Sequence, residues 1–177
     1  MASLYMRIGT DNVKGGATAE YTGGDDMSKQ GWFAIKSFSW GAVRSVGMDI
    51  GNGMNQDSGM VAMNEMTVTK EVCGASEQLL SGLYMPGDEG KIIDLISTKP
   101  DRSGQGSQVY LQIKMEKARL VSYNVSGSDG AAPFESLAIA YNTIKVKHWH
   151  EAEGGKLEAG GLVAYDLPTG KVISGKK

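Results

Sequence analysis

Apolar and polar side chains alternate with a period of two along much of the chain, and the run is longest between Phe134 and His150. Leu137, Ile139 and Tyr141 fall two apart and share one face of an extended chain. After Asn142 and Thr143 the parity flips, and Ile144 and Val146 alternate with Lys145 and Lys147. The run exceeds the usual strand length of about five or six residues, and one extra residue, a β-bulge, accounts for a phase break in its middle. A bulge bends a long strand, as a sheet curling toward closure requires. The pattern predicts a β-barrel or sandwich rather than a pocketed α/β enzyme.

The rest of the chain extends that reading. Residues 4–8 form a short strand with Leu4, Met6 and Ile8 on one face. Residues 10–30, rich in Gly, Asp and Thr, read as a polar loop. Residues 32–40 form a strand with Trp32, Ala34, Phe38 and Trp40 on one side and Phe33, Ile35, Ser37 and Ser39 on the other. Further strands cover residues 63–72, with Met66 and Val68 opposite Thr67 and Thr69, then 92–98, 109–115 and 118–126. A weaker tail holds Leu157, residues 162–165 and residues 171–173, with a turn at Leu167, Pro168, Thr169 and Gly170. One short flanking α-helix is expected at about residues 75–84: Ser76 serves as N-cap, Glu77 faces the positive end of the dipole, and Leu79, Leu80, Leu83 and Tyr84 form a stripe. Gly82 weakens that helix, and Pro86 with Gly87 ends it.

Residues 46–61 follow no period. They carry Gly47, Gly51, Gly53 and Gly59 among Met48, Met54 and Met60, with Asn52 and Asn55. A long Gly/Met-rich loop of this kind exceeds the usual connection, and such loops are functional or disordered. Flexible thioethers suit adaptable contact surfaces, so the loop reads either as an idle connection or as a segment ordered against a partner.

Composition narrows the class. The chain has 177 residues, 41% apolar and 21% charged, and is expected to form a single domain over residues 1–177. Its 25 glycines, concentrated between apolar runs, suit the turns of a mainly β fold. A net charge of -2 argues against a cationic face for nucleic acid. Cys73 is the only cysteine, so no internal disulfide forms, as in a reducing cytoplasm. Residues 1–9 lack the apolar core of a cleavable secretory signal, and no apolar run is long enough for membrane insertion as a helix.

Candidate chemistry is sparse. His148 and His150, two apart in a strand, point the same way and make a workable pair of imidazole ligands, but a metal site needs a third group. No G-x-S-x-G elbow and no phosphate loop occur. The carboxylate pairs Asp25-Asp26 and Asp88-Glu89 lie in polar loops and read as solvated charge, and Lys114, Lys145 and Lys147 as the wet faces of strands. No catalytic residue, cofactor or metal is indicated.

Several segments in order carry a resemblance. They are the strand end Phe38-Ser39-Trp40-Gly41, the Gly-rich loop, Met66-Thr67-Val68-Thr69-Lys70 running into Ala75-Ser76-Glu77-Gln78-Leu79-Leu80, Tyr110-Leu111-Gln112-Ile113-Lys114-Met115 leading into residues 120–126, and the long strand ending at Trp149. Over residues 3–166 their order and spacing resemble the haemolysin-coregulated protein (Hcp) family, the tube subunit of the bacterial type VI secretion system. The resemblance implies a two-sheet β-barrel with one flanking helix, closing into a homohexamer whose rings stack into a hollow tube. It implies as partners a trimeric spike protein, a contractile sheath and small effector proteins in the lumen, with assembly in the cytoplasm and export without a signal peptide. It implies no active site and no cofactor. Met48, Asn52, Met54, Asn55 and Met60 align with the family's assembly loop, and Ser37 and Ser39 with positions near the lumen. The alternatives are a tail-tube protein of a contractile phage-like particle, a small metal-dependent hydrolase using His148 and His150, and a monomeric ligand-binding barrel.

Overall fold

A computed structural model describes residues 3–9, 13, 15–18, 21–25, 31–47, 51, 56–57, 59–101, 104, 106–153, 155 and 157–174. The strands before the helix are β1 (Ser3–Ile8), β2 (Tyr21–Thr22), β3 (Phe33–Ile35), β4 (Ser37–Ser39), β5 (Ala42–Val43), β6 (Val46–Gly47), β7 (Gln56–Asp57), β8 (Ala62–Met63) and β9 (Met66–Glu71). Helix α1 (Ser76–Tyr84) precedes β10 (Lys91–Pro100), β11 (Ser107–Ser126), β12 (Phe134–Ala140), β13 (Thr143–Glu151), β14 (Leu157–Asp166) and β15 (Lys171–Val172).

The organising strand is β11, 20 residues long. Its first half lies between β10 and β13, with Ile113 opposite both Leu95 and Val146. Its second half leaves that sheet and pairs with β12, which continues through β9 to β4. The bend falls where β11 spends one more residue than β10 between the pairs Lys91–Ala118 and Ile93–Met115. Lys117 sits there at φ 51, a left-handed conformation rare outside glycine. Sequence alternation predicts two strands, over 109–115 and 118–126. The bulge joins them into one.

At the opposite side the sheets are joined by β3 and β4. β3 pairs with β1, β4 pairs with β9, and the intervening Lys36 donates its backbone N–H to the Thr69 carbonyl at 2.8 Å. Phe33 and Ile35 are buried before Lys36, and Phe38 and Trp40 pack on the same core after it, so the inward parity flips at that residue. The single strand expected over 32–40, with one constant face, is corrected accordingly. The run from Phe134 to His150 is likewise two strands, separated at Tyr141 and Asn142, because β12 follows the second half of β11 and β13 the first. These two bends give the expected two-sheet barrel or sandwich.

The core lies between the sheets and draws Met6, Phe33, Met66, Val68, Leu95, Ile113, Met115, Leu137, Ile139 and Ile144 from β1, β3 and β9 to β13. Burying each such side chain contributes roughly 1.5–3 kcal/mol. Of the predicted helical stripe only Leu79 is fully buried, and Tyr84 is 73% exposed. The helix spans Ser76–Tyr84 within the expected range, but its cap lies one residue before the expected Ser76. Ala75 is the N-cap, and Ser76 instead accepts hydrogen bonds at Oγ from the Cys73 N–H (3.0 Å) and Lys70 Nζ (3.1 Å).

A smaller cluster occupies the outer face of the first sheet. Trp32, Ile96 and Val109 pack there with Tyr5, Tyr21 and Trp149, beside the buried ion pair of Arg7 and Asp94 at 2.7 Å. Asp25 is fixed onto this face. Its backbone N–H donates to the buried Gln112 amide and its carbonyl accepts from the same amide, both at 2.9 Å, while its carboxylate meets Lys147 Nζ at 2.7 Å. Asp25 and Lys147 are therefore partners rather than separate solvated charges.

Candidate assembly surface

Beyond Trp40 the chain leaves the core as an antiparallel ribbon. β5 pairs with β8, Ala42 opposite Met63 and Val43 opposite Ala62; further out β6 pairs with β7, Val46 opposite Asp57 and Gly47 opposite Gln56. Both are two-stranded sheets separate from the body. The Gly/Met-rich stretch expected as a long loop over about 46–61 is thus, in its described part, the outer portion of a hairpin arm. Ladders of two residue pairs are too short to imprint a period on the sequence. Val43, Val46 and Met60 are 62%, 44% and 79% exposed. Met48, Asn52, Met54 and Asn55 lie outside the described residues. Met60 Sδ lies against the β14–β15 turn, where a Cβ at Gly170 would stand 3.1 Å from it.

Trp40 and Met63 pack the base of the arm on the core, and one hydroxyl ties it there by hydrogen bonds. Trp40 Nε1 donates to the Tyr141 hydroxyl at 2.5 Å, and that hydroxyl donates to the Asn64 carbonyl at 2.8 Å. The Asn64 N–H donates across the base to the Gly41 carbonyl at 3.0 Å. Burial pushes the Tyr141 phenol above its ordinary pKa although the Trp40 bond opposes the shift, so the proton needed for donation stays in place. Sequence reading placed Tyr141 on the inward face with Leu137 and Ile139 but gave it no role.

The second sheet turns two uncharged rows away from the core. Cross-strand register aligns Ser37, Thr69, Ser136 and Asn124 in one row and Ser39, Thr67, Ala138 and Ser122 in the next. Ser37 and Ser39 are exposed, and Ser37 Oγ lies 2.6 Å from Thr69 Oγ1. Charge borders these rows on both sides: Lys36 and Glu71 pair at 2.9 Å at one, and the exposed Arg119 stands opposite Ala140 at the other.

The histidine pair is not built into a site. His148 and His150 are both exposed at the end of β13, and His150 Nε2 reaches Glu158 at 3.8 Å. Among the described residues no group of three or more His, Cys, Asp or Glu side chains is placed to hold a metal ion. No described helix is long and apolar enough to cross a membrane.

Comparison with known proteins gives this surface its context. The family model described as "Type VI secretion system effector, Hcp" matches residues 5–148. Among solved structures, a type six secretion system protein is 24% identical with a TM-score of 0.78, covering 97% of this chain and 99% of that one. Hcp1 from Salmonella typhimurium is 18% identical with a TM-score of 0.68, over 97% of this chain and 99% of that one. The secreted protein Hcp3 from Pseudomonas aeruginosa is 18% identical with a TM-score of 0.57, over 90% of this chain and 97% of that one. Comparison with curated proteins finds no match. At these identities the solved structures establish the fold, and the family match establishes the membership: the chain belongs to the Hcp family of the type VI secretion system.

Proposed function

We propose that this protein is the tube subunit of a type VI secretion system, a single domain that closes into hexameric rings, stacks them and carries small effectors inside. One observation bears most of the reading. The arm is hydrogen-bonded as two short ladders of its own, outside the main sheet, with Val43, Val46 and Met60 exposed. An apolar ribbon left to water is marginal by itself and aggregation-prone, and gains stability when a neighbouring copy covers it. A heterologous contact of this kind closes into a ring when its rotation divides the circle. Residues 48–60, including Met48, Asn52, Met54, Asn55 and Met60, are the contact segment.

The rows containing Ser37 and Ser39 supply the lumen wall. A solvated channel that must release its cargo suits hydroxyl and amide groups, which bond water readily and hold no partner by charge. The protein performs no catalysis in this role. Its further partners are the spike and the sheath, and it is assembled in the cytoplasm before export without a cleavable signal.

Negative-stain microscopy of the purified chain tests this directly: six-fold rings with a central hole are expected. The mass of a single subunit in light scattering across a wide dilution series would overturn it. Deleting residues 51–59 should leave a folded protein with impaired ring or tube formation, read by analytical ultracentrifugation.

A further inference from the structure

We propose that Tyr141 is a positioning residue for assembly, its hydroxyl setting the direction in which the arm leaves the body. The inference rests on the reading of the arm as an assembly contact. Tyr141, only 7% exposed, follows β12, whereas Trp40 and Asn64 flank the outgoing and returning strands of the arm. Both strands therefore converge on one oxygen fixed to the core.

The direction of the Trp40 bond is fixed, and of the two acceptors near the hydroxyl the Asn64 carbonyl at 2.8 Å outcompetes the Met63 thioether at 4.0 Å. An indole N–H only donates, so the hydroxyl accepts from Trp40 and has one proton for the Asn64 carbonyl. Loss of that hydroxyl leaves the half-buried Trp40 N–H without its acceptor and the exposed Asn64 carbonyl to water, and the base loses its polar anchor on the core and can tilt. From Ala42 to Gly47 the arm extends about 17 Å at roughly 3.3 Å per residue, so a tilt of about 10° displaces its far end by roughly 3 Å. A displacement of that size exceeds what a packed contact tolerates.

Tyr141→Phe keeps the ring and removes the hydroxyl, and Trp40→Phe removes the donor from the other side. In each full-length variant the Asn64 amide, bonded to Gly41, should exchange with solvent on the order of tenfold faster, with β9 and β12 amides unchanged. The protein concentration needed for half-maximal ring formation should rise several-fold. Ile113→Val, a truncation in the core away from the arm, should leave assembly at the wild-type level. Unchanged Asn64 exchange in both variants overturns the proposal, as does equal loss of assembly in Ile113→Val. The 51–59 deletion separates the two ideas. Intact assembly in the deletion removes the arm from the interface and the proposal with it; impaired assembly in the deletion beside normal assembly in Tyr141→Phe and Trp40→Phe removes only the positioning role.

Discussion

Lys70 Nζ and Glu135 Oε2 are 2.5 Å apart, directly opposite each other on β9 and β12, and neither side chain exposes any surface. The pair sits beneath the Ser37–Asn124 row. Lys70 also reaches Ser76 Oγ at 3.1 Å, and Glu135 accepts from the Tyr123 hydroxyl at 2.8 Å, so the network ties the start of α1 to the second sheet. Tyr123 is pushed up to about 12, by burial first and by the neighbouring carboxylate second, and keeps the proton it donates. Removing one member leaves an uncompensated buried charge, which costs about 3–5 kcal/mol. Lys70→Met and Glu135→Gln should each destabilise by about that amount in urea unfolding. Lys70→Met combined with Glu135→Gln should cost clearly less than the two single losses summed, and strict additivity would show that the pair is not coupled.

The same carboxylate makes stability depend on pH. Burial alone would raise its pKa, but hydrogen bonds from Lys70, Ser76 and Tyr123 outweigh that and hold Glu135 below its ordinary value of 4.5. In the unfolded chain the group takes up its proton near 4.5; in the folded chain it does so only at lower pH. The unfolded state therefore binds more protons as pH falls through this window, and stability, fully present above about 4.5, declines below it. Asp166, lowered by its hydrogen bonds from Thr169 and Thr143, adds to the slope with the same sign. Denaturation midpoints measured from pH 7 to pH 3 should fall, and the fall should be shallower in Glu135→Gln. An unchanged slope in that variant would assign the acid sensitivity elsewhere.

Much of this network was written in the sequence. Lys70 falls in phase with Met66 and Val68, and Glu135 with Leu137 and Ile139, so opposite charges stand on two inward faces. That coincidence signals a buried pair; read one strand at a time, each charge looks like a wet strand end. β9 was legible because its one buried face enforces the period of two, β10 because a run buried on both faces between turn residues reads as a strand, and the turn at Leu167–Gly170 because Pro and Gly mark it. The bends were not. Lys36 and Lys117 change the phase with no Gly or Pro to mark them, and an alternation that restarts after a bulge reads as a second strand. The arm escaped for the opposite reason: none of its described residues from Ala42 to Gly47 is buried, and nothing there selects a pattern.

Gly90 shows how tightly one bend is held. It lies at φ 74 directly against the bulge, and a Cβ there would stand 2.8 Å from the carbonyl carbon of Lys117. Both the backbone conformation and the space demand glycine. Gly90→Ala should destabilise by roughly 2–3 kcal/mol, because strain at the turn adds to displacement of backbone that cannot rotate away. Gly82 meets nothing within 4 Å in the same test and lies inside α1. Gly82→Ala should therefore stabilise, by up to about 1 kcal/mol. Thermal unfolding of the two variants side by side checks the contrast, and a Gly90→Ala protein as stable as wild type would mean that the bulge is loosely held.

The imidazoles at the end of β13 test whether assembly is the whole of the chemistry. A Cβ at Gly160 would lie 2.8 Å from the His148 carbonyl, so β14 approaches the strand closely at this point and fixes its backbone. The side chains nevertheless remain exposed, and the carboxylate near His150 is Glu158 at 3.8 Å, a surface contact that contributes little. Two ligands in water bind a transition metal weakly beside the three or four that a catalytic site converges on it. Elemental analysis of the purified chain should find far less than one zinc, copper or nickel per subunit, after purification without chelator or affinity tag. His148→Ala combined with His150→Ala should form rings at the wild-type concentration. One metal per chain, lost in that double variant together with a hydrolytic activity, would restore the reading of a metal-dependent hydrolase and displace the tube subunit as this protein's role.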